Sequence, residues 1–185
     1  MFKAAVVGAT GIVGQQFLVA LDKHPWFQVA ALAASERSAG KTLKQALTDA
    51  NGAFRWYCEE PPSEQALALP VRNAAEMDSS KVDVVFSAVE SDQAKILEPR
   101  FAATTPVIST ASAFRYEPDV PILIPGINPE HMKMLDVQKK NRGWKMKSKV
   151  MSTMLKKILQ WVISPVLFSL LGVLVGTPIW LRQYE

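Results

Sequence analysis

Three glycines spaced three apart, Gly8, Gly11 and Gly14, follow a short apolar run from Phe2 to Val7 and open a segment of helical pattern, Ile12 to Leu21. These residue types at this spacing suit one task, holding a pyrophosphate against backbone N–H groups. Gly8 can take a tight turn, Gly11 has no side chain to block a close approach, and Gly14 lets the helix pack on the strand. The helix start would aim its unpaired N–H groups and positive dipole end at the phosphates. Glycine spacing alone recurs by chance, but here a strand precedes it and a helix follows, as the motif requires.

A second group lies at the end of the next apolar run, in Ala34-Ser35-Glu36-Arg37-Ser38-Ala39-Gly40. In dinucleotide-binding folds this position separates the two nicotinamide cofactors: an acid there holds the ribose diol of NAD, whereas hydroxyls and an arginine suit the extra phosphate of NADP. Ser35, Arg37 and Ser38 offer two hydroxyls and a guanidinium fork, which match a phosphate better than a diol. Glu36 points toward the diol but can face solvent, and the same residues also make an ordinary polar turn. The pattern favours NADP.

Other reactive groups are few. Cys58 is the single cysteine, which excludes an intrachain disulfide and a cysteine-based zinc cluster. In Trp56-Tyr57-Cys58 it reads as a half-buried strand residue rather than a nucleophile. His24 and His131 are far apart without ligand spacing, so no metal site is expected.

The elements that must position these groups alternate strand and helix, the pattern of an α/β, Rossmann-type doubly wound parallel sheet. The strands expected are Lys3–Val7, Gln28–Ala33, Val82–Ser87, Pro106–Ile108 and Pro121–Ile124. The helices expected are Ile12–Leu21, a segment near Lys41–Thr48, Ser91–Phe101 and Pro129–Lys140, the last with Asn128 as N-cap and Pro129 at its first position. Phe54 to Pro70 has no clear periodicity.

Charge divides the 185 residues unevenly. The net +4 hides an acidic body, with 12 Lys/Arg against 16 Asp/Glu in residues 1–136, and nothing there reads as a nucleic-acid face. Residues 137–157 then carry eight basic residues and no acid. From Ile158 to Leu181 no charge occurs over 24 positions, enough as a helix to span a hydrocarbon core of roughly 30 Å. Pro165, Gly172, Gly176 and Pro178 would disturb that helix. The expected organisation is a nucleotide-binding unit over 1–145, a basic linker over 146–157, a candidate membrane span over 158–181 and a short tail. The body reads as cytoplasmic, membrane-anchored if the tail is genuine.

Four stretches resemble aspartate-semialdehyde dehydrogenase of the archaeal and fungal type: GATGIVGQ at Gly8–Gln15, ASERSAGK at Ala34–Lys41, VVFSAVESD at Val84–Asp92, and ISTASAFRYEPDVPILIPGINPEH at Ile108–His131. The resemblance covers residues 1 to about 145. It implies an NADP-dependent oxidoreductase that interconverts aspartate semialdehyde and aspartyl phosphate. Thr10, Gly11, Ile12 and Val13 would then line the cofactor phosphates. Ser35, Arg37 and Ser38 would hold the 2′-phosphate, and Ser87 and Ala88 would lie beside the cofactor. Arg115 matches an arginine that binds the substrate phosphate, although from this chain alone a surface salt bridge suits it equally. Family members are dimers or tetramers.

After Lys145 the pattern breaks. Where the family continues to an Asn-Pro-x-Cys segment with its catalytic cysteine, this chain reads Met146-Lys147-Ser148-Lys149-Val150-Met151-Ser152-Thr153. Without a thiolate to form the thiohemiacetal and a histidine to move the proton, the chain is expected to be inactive. The abrupt change in composition fits a frameshift, a retained intron or a truncated gene model; a tail-anchored, non-enzymatic NADP-binding module is the alternative. A fragment of a related reductase, acting on an acyl-CoA or an N-acetylated amino acid, is a third reading. An isolated nucleotide-binding half is also expected to be poorly soluble, because its partner surface stays open.

Overall fold

A computed structural model of the chain describes residues 1–123 and 127–144. Five strands, β1 (Phe2–Val7), β2 (Phe27–Ala34), β3 (Val71–Asn73), β4 (Val84–Ser87) and β5 (Val107–Ser109), form one sheet in the order β3-β2-β1-β4-β5. Every pairing is parallel. Five helices accompany them: α1 (Ile12–Leu21), α2 (Leu43–Leu47), α3 (Glu64–Ala68), α4 (Ser91–Ala102) and α5 (Met134–Arg142).

From Ala4 to Val7, β1 is apolar without a break because both of its faces are covered there, as crossover helices require in parallel sheets. Alternate residues therefore enter separate cores. Ala4 and Val6 join Leu32, Val84 and Phe86 beneath Phe17, Leu18 and Leu21 of α1, with Leu43, Leu47 and Leu67 from α2 and α3. Ala5 and Val7 join Ala33 and Val85 beneath Leu97 and Phe101 of α4, with Met77. Helices on both faces of a sheet whose order turns outward from β1 make this a Rossmann-like α/β fold.

Local signals fix several element ends. Thr42 caps α2 in a capping box with Gln45, and Ser63 caps α3 by accepting from the Ala66 N–H. The turn from α1 into β2 is organised by His24, whose Nδ1 accepts from the Trp26 and Phe27 N–H groups at 3.1 and 3.2 Å. Arg100 of α4 donates to the Ala74 and Ala75 carbonyls, holding the residues after β3 against the second face.

Several expectations need correction. β3 lies just past the segment without periodicity; at three residues it is too short to show alternation. α3 falls inside that segment, announced by Ser63. The strand expected over Pro121–Ile124 does not form among the described residues: residues 121–123 are irregular, and β5 is left as an edge strand of the described sheet. Ile124 lies outside the described residues. β4 starts at Val84 because Val82 ends a 3-10 turn over Ser79–Lys81. The helix expected over Pro129–Lys140 begins as a 3-10 turn, Pro129–Lys133, before α5. Asn128 makes no side-chain cap; its amide donates to the Ile122 carbonyl at 2.9 Å and approaches His131 Nδ1 at 3.1 Å. Cys58 is half-buried but sits in a bend, not a strand. No described helix is long and apolar enough to cross a membrane, and the basic linker and the 158–181 span lie outside the described residues.

Candidate functional site

Parallel register lines up the strand ends. Ala33 of β2 and Ser87 of β4 both stand opposite Val7 of β1, and Ser109 of β5 stands opposite Ser87. The chain therefore leaves four neighbouring strands at one level of the carboxyl edge, into the segments starting at Gly8, Ser35, Ala88 and Thr110. Strand order reverses between β1 and β4, and in open α/β sheets ligands bind in the crevice outside such a switch point.

The first of these segments is built around backbone proximity. Gly8 has φ +83°, a conformation that disfavours a side chain, and its N–H donates to the Ala33 carbonyl at 2.8 Å. A Cβ on Gly8 would lie 2.4 Å from the Ala88 carbonyl oxygen, so this turn and the segment after β4 touch across the switch point. A Cβ on Gly14 would lie 2.1 Å from the Gly8 carbonyl oxygen, which leaves room for glycine alone where α1 leaves the turn. Gly11 is the N-cap of α1 and has no side chain to cap it. The first-turn N–H groups, including those of Ile12 and Val13, therefore keep no intrahelical partner. Thr10 is half-buried and Ile12 is exposed at this rim.

Ser35 and Arg37 are exposed, while Ser38 is buried, in a 3-10 turn closed by the Ser38 N–H to the Ser35 carbonyl at 3.0 Å. The Gly40 N–H donates to the Val71 carbonyl at 2.9 Å and anchors this turn to β3. Between β4 and β5, Glu98 of α4 is buried and accepts from Ser109 Oγ at 2.5 Å. Burial pushes its carboxyl above the ordinary range, opposed by Ser109 and by the nearby Ser87 hydroxyl. Ser87 Oγ lies close enough for that influence but completes no hydrogen bond of proper geometry. Among the described residues it is the buried side-chain polar atom left without a partner.

Arg115 follows β5 in a half-buried stretch, and its side chain makes no ion pair with any described residue. The neighbouring ion pair belongs to Arg142 at the end of α5, which grips Asp119 through two donors at 2.7 and 2.5 Å. Burial, and then Glu60, raise the Cys58 thiol, which disfavours the reactive thiolate. Among the described residues no three His, Cys, Asp or Glu side chains gather as metal ligands.

Two participants were not foreseen. Gln15 is fully buried, although the α1 stripe shows only a polar residue in an apolar helix. Its amide donates to the Thr10 and Arg55 carbonyls, and its oxygen accepts from the Tyr57 N–H. Glu98 was legible in principle, because Ala94, Leu97 and Phe101 put position 98 on the inner face of α4.

Residues 3–135 match the family described as semialdehyde dehydrogenase, NAD binding domain. The chain is 46% identical over 149 residues to aspartate-semialdehyde dehydrogenase of Methanothermobacter thermautotrophicus, covering 78% of this chain and 40% of that one. It is 42% identical over 146 residues to the enzyme of Archaeoglobus fulgidus, again covering 40% of it. Among solved structures, aspartate semialdehyde dehydrogenase with NADP from Candida albicans superposes with a TM-score of 0.66 at 38% identity, over 76% of this chain and 38% of that one. This chain thus spans about two fifths of the length of these curated relatives. With the glycine turn, the parallel sheet and the match over residues 3–135 in agreement, the chain belongs to the semialdehyde dehydrogenase family and carries its NAD-binding domain.

Proposed function

We propose that residues 1–145 form an NADP(H)-binding unit, the cofactor half of an oxidoreductase that interconverts aspartate semialdehyde and aspartyl phosphate. The observation that carries this reading is the cradle at the switch point. A Cβ at Gly8 or Gly14 would lie within 2.4 Å of a backbone oxygen, so these glycines let the turn close on Ala88 and let α1 pack against it. At Gly11 a Cβ would meet, among the described residues, only the Gly8 carbonyl oxygen at 3.4 Å, and the start of α1 stays open to a close-lying ligand. The pyrophosphate would sit on the α1 N-terminus, held by the N–H groups around Gly11, Ile12 and Val13 with Thr10 at the rim. Ser35, Arg37 and Ser38 would take the 2′-phosphate; none of the three side chains is engaged by a described residue. Ala88, its carbonyl against the turn, and the unpartnered Ser87 hydroxyl would border the cofactor on the β4 side. Bound NADP(H) supplies or accepts the hydride. Arg115, one strand further along and without an ion pair to any described residue, would take the substrate phosphate.

Alone, this unit binds but does not turn over substrate. The reaction needs a thiolate, and Cys58 is a half-buried thiol whose ionisation is suppressed, in a bend between Tyr57 and Glu59. Gly143, in the left-handed conformation (φ +65°), terminates α5, the last described helix, which supports a unit boundary near Lys145. Fluorescence titration of the full chain with NADPH and NADH tests the reading. NADPH should bind more tightly, and Arg37→Ala should weaken NADPH roughly tenfold while leaving NADH unchanged. Equal affinities, indifferent to Arg37→Ala, would remove the 2′-phosphate assignment.

A further inference from the structure

We propose that Gln15 is a positioning residue for the nucleotide turn, tying Thr10 to the backbone of residues 55–57 so that turn and strap are ordered as one unit. This rests on the nucleotide-binding reading above. Gln15 is fully buried just inside the α1 N-terminus. Its Nε2 donates to the Thr10 carbonyl at 3.2 Å and to the Arg55 carbonyl at 3.0 Å, while Oε1 accepts from the Tyr57 N–H at 2.7 Å. One primary amide has two N–H donors and an oxygen acceptor, and all three bonds join segments about forty residues apart or span the turn itself. No aliphatic side chain of the same volume can do this, and a carboxylate would keep only the acceptor arm.

The consequence is specific. Besides Gln15, the strap is held by the Arg55 N–H on the Leu47 carbonyl at 2.9 Å, by Trp56 packed against the first core, and by the Trp56 indole on the Glu60 carbonyl at 2.8 Å. Around them, residues 51–55 and Tyr57 are exposed. The Thr10 carbonyl in turn sits one residue before Gly11, the α1 N-cap. A phosphate that settles on the α1 N-terminus orders the turn, and through Gln15 it also orders the strap. Losing the amide leaves two carbonyls and one N–H without their partner, so the turn must be ordered by the ligand itself.

The test uses the full chain, NADPH as probe, and amide hydrogen exchange beside a binding titration. In the unsubstituted chain, NADPH should slow exchange at Tyr57 together with residues 10–14. Gln15→Leu should weaken NADPH about five- to tenfold and abolish the NADPH response at Tyr57, while residues 10–14 still respond. Tyr57→Pro removes the same N–H at an exposed position and should weaken NADPH in the same direction. Unchanged affinity in both variants, or an undiminished Tyr57 response in Gln15→Leu, would overturn the positioning role while leaving the nucleotide reading intact. Failure of the unsubstituted chain to bind NADPH would overturn the nucleotide reading, and the positioning role with it.

Discussion

The turn between β1 and α1 and the stretch from Thr110 to Leu123 leave the same edge of one sheet, yet they are held in different ways. At the turn, specification is by closeness of backbone: Gly8 and Ala9 donate to one Ala33 carbonyl, and Gly14 packs against Gly8. Around it, Ala4 to Val7 are fully buried. In the second region the Thr110 N–H still donates to the Ser87 carbonyl, but beyond it the backbone bonds among the described residues reach only three residues, as from Arg115 to Ser112 and from Glu117 to Phe114, and Tyr116 is 91% exposed. Its apolar support, from Leu123, Met132, Leu135 and Trp144, contains no fully buried side chain. What fixes it is charge, through Arg142 on Asp119 and, at 3.7 Å, Glu117. A site made from backbone tolerates almost no change of residue, whereas one hung on charged side chains tolerates many and is ordered less strongly.

The largest expected effect breaks the first region. Gly14→Ala should cost about 3 kcal/mol or more in urea unfolding, because the added methyl meets backbone that cannot retreat. Gly40→Ala is the control: its φ is +80° but nothing lies within 4 Å of the new methyl, so about 1 kcal/mol of backbone strain is expected. Similar costs for the two would mean that close packing does not define the turn.

Acid should separate the regions next. Burial lowers the His24 pKa from 6.5 to about 4, since the ring must stay neutral to accept from Trp26 and Phe27. Between those values the unfolded chain binds more protons, so stability falls as pH drops from 6.5 toward 4 and levels off below. The loss should be about 2 kcal/mol after solvent screening. Glu98 works in the opposite sense: its raised pKa makes the folded state bind the proton first, adding stability as pH falls toward 4.5. Melting temperatures across this range should fall overall, and His24→Asn should flatten the curve. A curve unchanged by that substitution would exclude the ring as the cause.

Arg142→Ala tests the second region and should cost about 1 kcal/mol, as expected for a bidentate, partly exposed ion pair. A double-mutant cycle with Asp119→Asn should recover most of that as coupling energy. NADPH affinity should not move, because the pair belongs to the charge-held region. The smallest effect is Ser87→Ala. Removing a buried hydroxyl without a partner should leave stability unchanged or raise it by up to about 1 kcal/mol. A clear loss of stability would show that the hydroxyl is engaged.

The glycine turn was legible because its constraints are local: a strand, three glycines and a helix lie within twenty residues, and Ile12–Leu21 matches the observed helix at both ends. Ser91 to Phe101 was nearly as clear, ending one residue short. β3 and α3 were not, because elements of three and five residues carry too little periodicity to stand out from a Pro- and Glu-rich segment. Pro121–Ile124 misled for the opposite reason: its apolar residues resemble a strand, yet residues 121–123 are irregular.

By itself the sequence determined the glycine turn between the first strand and α1, and the alternation that makes a parallel sheet. Tertiary structure alone decided that Ala88 closes on Gly8, that Gln15 reaches Arg55 and Tyr57, and that Ser87 is left without a hydrogen bond beside Glu98. Those relations join residues some ten to eighty positions apart. Spacing along a chain encodes a helix face or a turn, but only strand order and register set which distant backbones come within a few ångströms of each other.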